Sequence, residues 1–257
     1  MDEVRYERTG PVARLTIDRP ERRNAMSFTT MRELIEAIGA ARVDDEVRVL
    51  VLTGAGDRAF CAGADLGGIA DTAAASAHDA RGSFPELLRS LWHLGKPTIA
   101  RVRGYALAGG FGLALACDLV VAAEDAMFGT PEIDVGLWPY MISVPLLRAM
   151  PPKQALELMM TGRRVSAREA ASIGFVNRVV PVDELDREVD RLAAELSSKS
   201  PLIMRWGRDS FYRVLDMAAD EALAYLHAML SVTSASADAS EGVAAFAEKR
   251  APRWTGR

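Results

Sequence analysis

The sequence predicts an α/β fold in which a largely parallel sheet with crossover helices is followed by a helical C-terminal part. Three observations lead there. Short β-type runs alternate with helical ones through the first half of the chain, and strand signals almost stop after about residue 140. In addition, no internal repeat, low-complexity tract or long Pro/Ser linker divides the 257 residues.

Each element has its own signal. "VARLTID" (12–18) alternates apolar and polar residues, as a half-buried strand does. "SFTTMRELIEAIGAA" (27–41) offers Ser27 or Thr29 as a cap and carries Met31, Leu34, Ile35 and Ile38 at helical spacing. "VRVLVLTG" (47–54) is β-branched, apolar and closed by Gly54, which suits a central strand. Residues 67 to 83 are small, polar and weakly patterned and read as a mobile surface loop, leading into the helix "FPELLRSLWHLG" (84–95). "KPTIARVRG" (96–104) is a further strand, and a glycine-rich helix follows it. "DLVVAAE" (118–124) and "AMFGTPEID" (126–134) continue the rhythm. Beyond residue 140, "PKQALELMMTG", "SAREAASIG", "DELDREVDRLAAELSSKS" and residues 201–249 are mostly amphipathic helix, with "FVNRVVP" (175–181) the one late strand candidate. The expected division is an α/β core over 1–190 and a helical region over 191–257, whose apolar positions suit packing on a neighbouring subunit or back on the core.

Composition narrows the function. A hydrophobic content of 49% with 26% charged residues supports a sizeable core. The net charge of −4 argues against a nucleic-acid or anionic-membrane surface. Cys61 and Cys117 give neither a disulfide framework nor a zinc spacing, so a reducing cytosol is expected. The charged start "MDEVRYERTG" has no apolar core of a signal peptide, and the longest apolar run, 104–117, falls short of the ~20 residues of a membrane span. A cytoplasmic protein follows as the expectation.

"GYALAGGFGLALACD" (104–118) spends four of fifteen positions on glycine while otherwise reading as a buried helix. Glycine weakens a helix interior by roughly 1 kcal/mol relative to alanine, so something else requires it. Either another backbone packs closely against Gly109, Gly110 and Gly112, or a ligand reaches bare N–H groups at the helix start. A second small-residue turn, "FCAGADLGG" (60–68), offers N–H groups at Ala62, Gly63 and Ala64, and two donors from separate segments suit an enolate or tetrahedral oxyanion. A dinucleotide pyrophosphate is the rival ligand. Gly110-Phe111-Gly112 starts its fingerprint, but Leu115 stands where a small residue is needed.

Four stretches carry a resemblance: "RNAMS" (23–27), "AFCAGADL" (59–66), "GYALAGGFGLALACDLVVAAEDAMFGTPEIDVGL" (104–137) and "LMMTGRRVSAREAASIGFVNRVVP" (158–181). In order and spacing they resemble the crotonase superfamily, that is, the enoyl-CoA hydratase/isomerase family. The resemblance implies a crotonase-like ββα spiral core and a helical C-terminal trimerisation region, giving a homo-trimer or hexamer. It implies acyl-CoA thioester substrates, with CoA arriving as part of the substrate and no separate cofactor. By motif position, Ala64 and Gly109 match the two N–H donors of the family's oxyanion hole. Arg23, Ala25, Asp65, Leu66 and Gly67 match the stretches lining the CoA moiety. Gly67 stands where a basic residue often follows, which leaves Arg22, Arg23 or Lys249 to supply charge.

The family's hydratases use two glutamates, one on the glycine-rich helix and one in a later P-E-[IVL] turn. Here the first position is Gly112 and the second is Glu132. No Asp or Glu lies between Gly104 and Cys117, and Asp118 falls on a different helix face. Water addition is well served by two carboxylates, whereas one suffices to move a proton between two carbons. A Δ3-Δ2 enoyl-CoA isomerase with Glu132 as acid/base is therefore favoured. Phe128, Leu137 and Trp138 are expected to desolvate Glu132 and raise its pKa. A first-turn capping glutamate is the plain alternative for Glu132, and a solvated or capping residue that for Asp134. Trp138 and Tyr140 are expected as substrate-pocket wall and core, in a stretch bulkier than the family's glycine-rich one.

Alternatives are an enoyl-CoA hydratase, a decarboxylase using Tyr140, and an acyl-CoA-binding scaffold without turnover. His78, His93 and His227 lack ligand spacing, so no metal is expected. Cys61 reads as a small buried residue, and Ser27 and Ser143 lack a nucleophile context. The basic, aromatic "EKRAPRW" (248–254) suits either an exposed tail or, as in the family, a neighbour of CoA.

Overall fold

Apolar alternation on successive short strands builds two sheets at once. The computed structural model of the chain describes residues 2–65 and 82–257. The loop expected over 67–83, together with Leu66 and Gly67, lies outside them except for its last two residues. The elements begin with β1 (Val4–Thr9), β2 (Val12–Ile17) and α1 (Phe28–Val43). Three repeated units follow: β3 (Val49–Gly54) and β4 (Ala59–Cys61) with α2 (Ser83–Trp92); β5 (Thr98–Val102) and β6 (Tyr105–Leu107) with α3 (Gly109–Ala116); β7 (Leu119–Ala123) and β8 (Met127–Gly129) with a 3-10 turn, Pro131–Val135. The first strand of each unit joins a six-stranded sheet of order β1-β2-β3-β5-β7-β10, and the second joins a four-stranded sheet of order β4-β6-β8-β9. This is the ββα spiral.

Pairing is parallel from β2 through β3, β5 and β7 to β10, and from β4 through β6 to β8. Only the edges β1 and β9 (Arg164–Ser166) are antiparallel to their neighbours. These two strands went unread in the sequence, as did β4 and β6: β1 is almost wholly exposed and the other three have three residues each, so none shows a strong apolar alternation.

The central strands are buried on both faces, as their continuous apolar composition requires. Leu50, Leu52, Ala100, Val102, Val120 and Ala122 point into the main core with Phe60, Phe111 and Phe128. Val49, Val51, Ile99, Val121 and Ala123 point the other way and are covered by Leu185, Val189, Leu192 and Ala193 of α7 (Leu185–Ser197). The division expected between residues 190 and 191 thus falls inside a helix whose whole length packs on the sheet. Ser27 is the cap of α1, its hydroxyl accepting from the Thr30 N–H at 3.0 Å.

Around this frame lie α4 (Ser143–Ala149), α5 (Pro152–Thr161), α6 (Ala167–Ile173) and β10 (Arg178–Val180). The chain continues into α8 (Pro201–Val214), α9 (Ala219–Ser234) and α10 (Ala237–Ala247). A buried polar knot fastens α8. Arg208 donates to Asp118 Oδ2 at 2.7 Å and to the carbonyls of Trp92 and Leu91, while the Tyr212 hydroxyl donates to Asp118 Oδ1. By contrast α9 has no buried residue, and Leu223, Leu226 and Leu230 on it are exposed. The C-terminal stretch does not hang free. Asp238 accepts from the Thr255 and Gly256 N–H groups, and the Trp254 indole donates to the Ser198 carbonyl.

Candidate active site

The two glycine-rich turns meet because their strands are neighbours. Strands β4 and β6 pair in parallel, so the turns that leave them, 62–65 and 108–109, come off side by side. Gly63 sits at φ +105°, and a Cβ there would fall 2.7 Å from Ala108 Cβ and 3.5 Å from Gly109 N. Ala108 itself adopts φ +51°, an uncommon conformation for a residue with a Cβ, held between the Gly129 carbonyl and the start of α3. Gly110 answers a different need: a Cβ on it would lie 2.1 Å from the Cys61 carbonyl oxygen. Backbone cannot give way there. Gly110→Ala is expected to cost about 1–3 kcal/mol or more, read as a lower midpoint in chemical unfolding.

Close packing therefore explains Gly63 and Gly110, whereas Ala64 and Gly109 keep bare N–H groups. Met26 bridges to Ala64 in parallel, with the Met26 N–H donating to the Gly63 carbonyl and the Asp65 N–H to the Met26 carbonyl. That pattern uses the residues on either side of Ala64 and turns its own N–H away. Gly109 is the first residue of α3, so its N–H has no partner within the helix. Neither donor meets an acceptor among the described residues. Both Ala64 and Gly109 line one cavity of about 570 Å³.

Glu132 lines the same cavity. Pro131 opens the 3-10 turn that carries it, and Gly136 closes that turn at φ +74°. Its Oε2 is buried without a hydrogen-bond partner among the described residues. Burial lifts its pKa above the ordinary carboxylate value, with only a lesser, opposing pull from its own backbone N–H. A first-turn capping role leaves no reason for a buried, unpartnered oxygen. Of the three residues expected to desolvate it, Leu137 and Trp138 line the cavity, whereas Phe128 packs in the core against Phe111 and Phe175. Asp134 reaches the cavity too, but it is exposed and its carboxylate lies against the Gly162 backbone at the end of α5.

Trp138 is half-buried in the cavity wall. Tyr140 also lines it, as expected of a pocket residue, but is 77% exposed, so it stands at the rim and not in the core, although its neighbour Pro139 is buried. The remaining wall is apolar: Met26, Phe28, Met31 and Phe84 among others.

Arg23, Ala25 and Asp65 come together just outside this cavity. The Ala62 N–H donates to the Arg23 carbonyl, so the 23–26 and 62–65 segments run alongside each other. The Arg23 and Arg22 side chains are exposed, as is Lys249. Two residues that sequence reasoning missed organise the region. Arg19 donates to the Ala25 carbonyl and to Asp65 Oδ2, and also pairs with Glu3. Asn24, buried at φ +56°, ties its amide to the Ala55 and Ala59 carbonyls at 2.9 and 2.7 Å. Its place inside "RNAMS", the first resembling stretch, was the available signal. Cys61 is fully buried and its thiol pushed up to about 12, an inert core residue. No group of three His, Cys, Asp or Glu among the described residues is placed to hold a metal.

An apolar cavity, two N–H groups without acceptors among the described residues and one desolvated carboxyl are an arrangement that suits enolate chemistry on a carbonyl compound. Comparison with known proteins agrees. The family model described as enoyl-CoA hydratase/isomerase matches residues 7–257. The chain is 40% identical to the carnitinyl-CoA dehydratase of Salmonella typhi, over all of this chain and 99% of that one. Among solved structures it is similar to an enoyl-CoA hydratase of Mycobacterium smegmatis (35% identity, TM-score 0.95, 98% of each chain). It is also similar to an enoyl-CoA hydratase/carnithine racemase of Magnetospirillum magneticum (32%, TM-score 0.91, 100% of this chain and 97% of that one). The chain belongs to the enoyl-CoA hydratase/isomerase family of the crotonase superfamily, and is an enzyme of that type acting on CoA thioesters.

Proposed function

We propose that this enzyme shifts a carbon–carbon double bond, converting a 3-enoyl-CoA to the 2-enoyl-CoA with one carboxyl group. The observation that carries this reading is the buried, unpartnered Oε2 of Glu132 in a cavity to which α3 contributes Gly109 and no acid, the place of a side chain at Gly112 being filled by Ile142. Glu132 removes a proton from C2, and the negative charge moves to the thioester oxygen, held by the N–H groups of Ala64 and Gly109. Each such donor is worth about 10²–10³ in rate in a water-excluded site. The carboxyl, now protonated, returns the proton at C4. Arg23, Ala25 and Asp65, with Leu66 and Gly67, line the CoA moiety. CoA is part of the substrate, and the scheme needs no metal or redox group.

Hydration or dehydration is the second reading, favoured by the dehydratase and hydratase names of the relatives. Incubation with a 3-enoyl-CoA and separately with a 2-enoyl-CoA decides between them. Bond migration without mass change supports the isomerase; gain of one water from the 2-enoyl substrate supports the hydratase. A loss of carbon dioxide from a 2-carboxyacyl-CoA would instead bring Tyr140 forward.

Glu132 must be ionised to act as a base, and its pKa is raised by burial. The acid limb of kcat/KM is therefore expected at higher pH than an ordinary carboxylate gives, with activity falling as pH drops through it. A pH–rate profile of wild type checks this. The exposed apolar residues of α8 to α10, Phe211, Leu223, Leu230 and Phe246 (87% exposed), support assembly as a trimer or a dimer of trimers. A cytoplasmic location fits a chain in which no described helix is long and apolar enough to cross a membrane.

A further inference from the structure

Gly112 is explained neither by a turn nor by a free N–H: its amide already donates to the Ala108 carbonyl. What it lacks is a side chain, and that volume is filled. A Cβ on Gly112 would lie 2.3 Å from Ile142 Cγ2 and 2.7 Å from Ile142 Cβ. Ile142 comes from the stretch between the Glu132 turn and α4, is 3% exposed, and lines the cavity that holds Glu132, Ala64 and Gly109. Bare helix and branched side chain form a complementary pair.

We propose that Ile142 is a specificity-determining residue that seals the α3 side of the cavity against water and so commits the site to proton transfer. This rests on the single-carboxylate isomerase reading. A held water needs room and 2–4 polar partners, roughly. Next to Ile142 along the chain the wall is Leu137, Trp138, Pro139 and Met141, the polar Asp134 and Tyr140 are exposed at the rim, and α3 offers no free polar group at Gly112. Hydration puts a hydroxyl from water on C3 and a proton on C2, so a base must take the one proton the water loses while an acid supplies C2. Isomerisation moves one proton from C2 to C4 and adds nothing. An apolar seal permits the second reaction and starves the first.

The test compares wild type, Ile142→Val, Ile142→Ala and Gly112→Glu/Ile142→Gly. The double variant needs glycine at 142 because Ile142 Cβ alone stands in the way of a side chain at 112. Each is incubated with 3-enoyl-CoA and 2-enoyl-CoA in oxygen-labelled water, and the ratio of labelled 3-hydroxyacyl-CoA to shifted enoyl-CoA is read by mass spectrometry. Valine keeps the branch over Gly112 and leaves the ratio unchanged. Alanine raises it roughly tenfold, and the double variant by more, since acid–base assistance is worth about 10²–10⁴. If Ile142→Ala does not fold, Ile142→Thr keeps the branched shape, gives water a hydroxyl partner, and carries the same expectation. An unchanged ratio in folded variants of an enzyme that isomerises overturns the role of Ile142 alone. A wild type that hydrates, or that converts neither substrate, overturns the isomerase reading and the inference together.

Discussion

Glu132→Gln lowers turnover by about 10²–10⁴ and at the same time raises thermal stability at neutral pH. The first half follows from chemistry: an amide of the same shape cannot take a proton from carbon. The second half follows from the site. Glu132 Oε2 is buried without a donor, and burial raises the carboxyl pKa above its ordinary value. Between the unfolded and the folded pKa the folded protein holds more protons than the unfolded one, so stability falls as pH rises through that window. Above the folded pKa the whole penalty stands. Glutamine removes it at neutral pH and changes little at acid pH, where glutamate is protonated in both states. Melting curves of both proteins at acid and neutral pH, beside assays with 3-enoyl-CoA, check this. A variant that keeps its turnover would sink the catalytic role. A variant less stable than wild type at neutral pH would sink the account of its burial.

Arg208→Ala should be the most damaging change far from the site, at about 3–5 kcal/mol, because breaking a buried pair leaves its partner without compensation. Arg208 connects three places distant in sequence: Asp118 at the start of β7, the last turn of α2 through Leu91 and Trp92, and its own helix α8. Asp118 also accepts from Thr98, at the start of β5, and from Tyr212. Burial and that carboxylate hold the Tyr212 phenol far above its usual pKa, so the phenol stays a neutral donor to Asp118. Replacing both members by apolar residues, Arg208→Met/Asp118→Leu, should recover much of the loss. Urea unfolding of the three proteins decides. A single variant within 1 kcal/mol of wild type, roughly the value of an exposed pair, would mean that the knot is ornamental.

Asp118 shows where reading the sequence stopped. Next to the glycine-rich helix it is only a carboxylate on the wrong face, and its partner lies 90 residues on. Local pattern carried the central strands, the Ser27 cap and the glycine turns, because in each the cause lies within a few neighbouring residues. The spiral arrangement came through resemblance in motif, as did the proposed roles of Ala64 and Gly109, since a backbone N–H leaves no mark of its own in a side-chain alphabet. Edge strands β1 and β9 lacked the pattern that burial imposes. Tyr140 lines the cavity as expected of a pocket residue, but at the rim and not in the core, a difference in depth that composition does not record. The fit between Gly112 and Ile142 could not be seen at all. Thirty residues separate them, and neither is unusual alone.

The cavity has two owners. One half, with the N–H groups of Ala64 and Gly109, is backbone, fixed by the pairing of β4 with β6 and indifferent to most side-chain changes. The other half comes from one unbroken stretch, Pro131 to Ile142, which brings Glu132, Trp138 and Ile142. Under the proposed function, chemistry is thus written on a removable cassette mounted against a permanent socket. Exchanging a dozen residues would then change the reaction without disturbing the part that polarises the thioester.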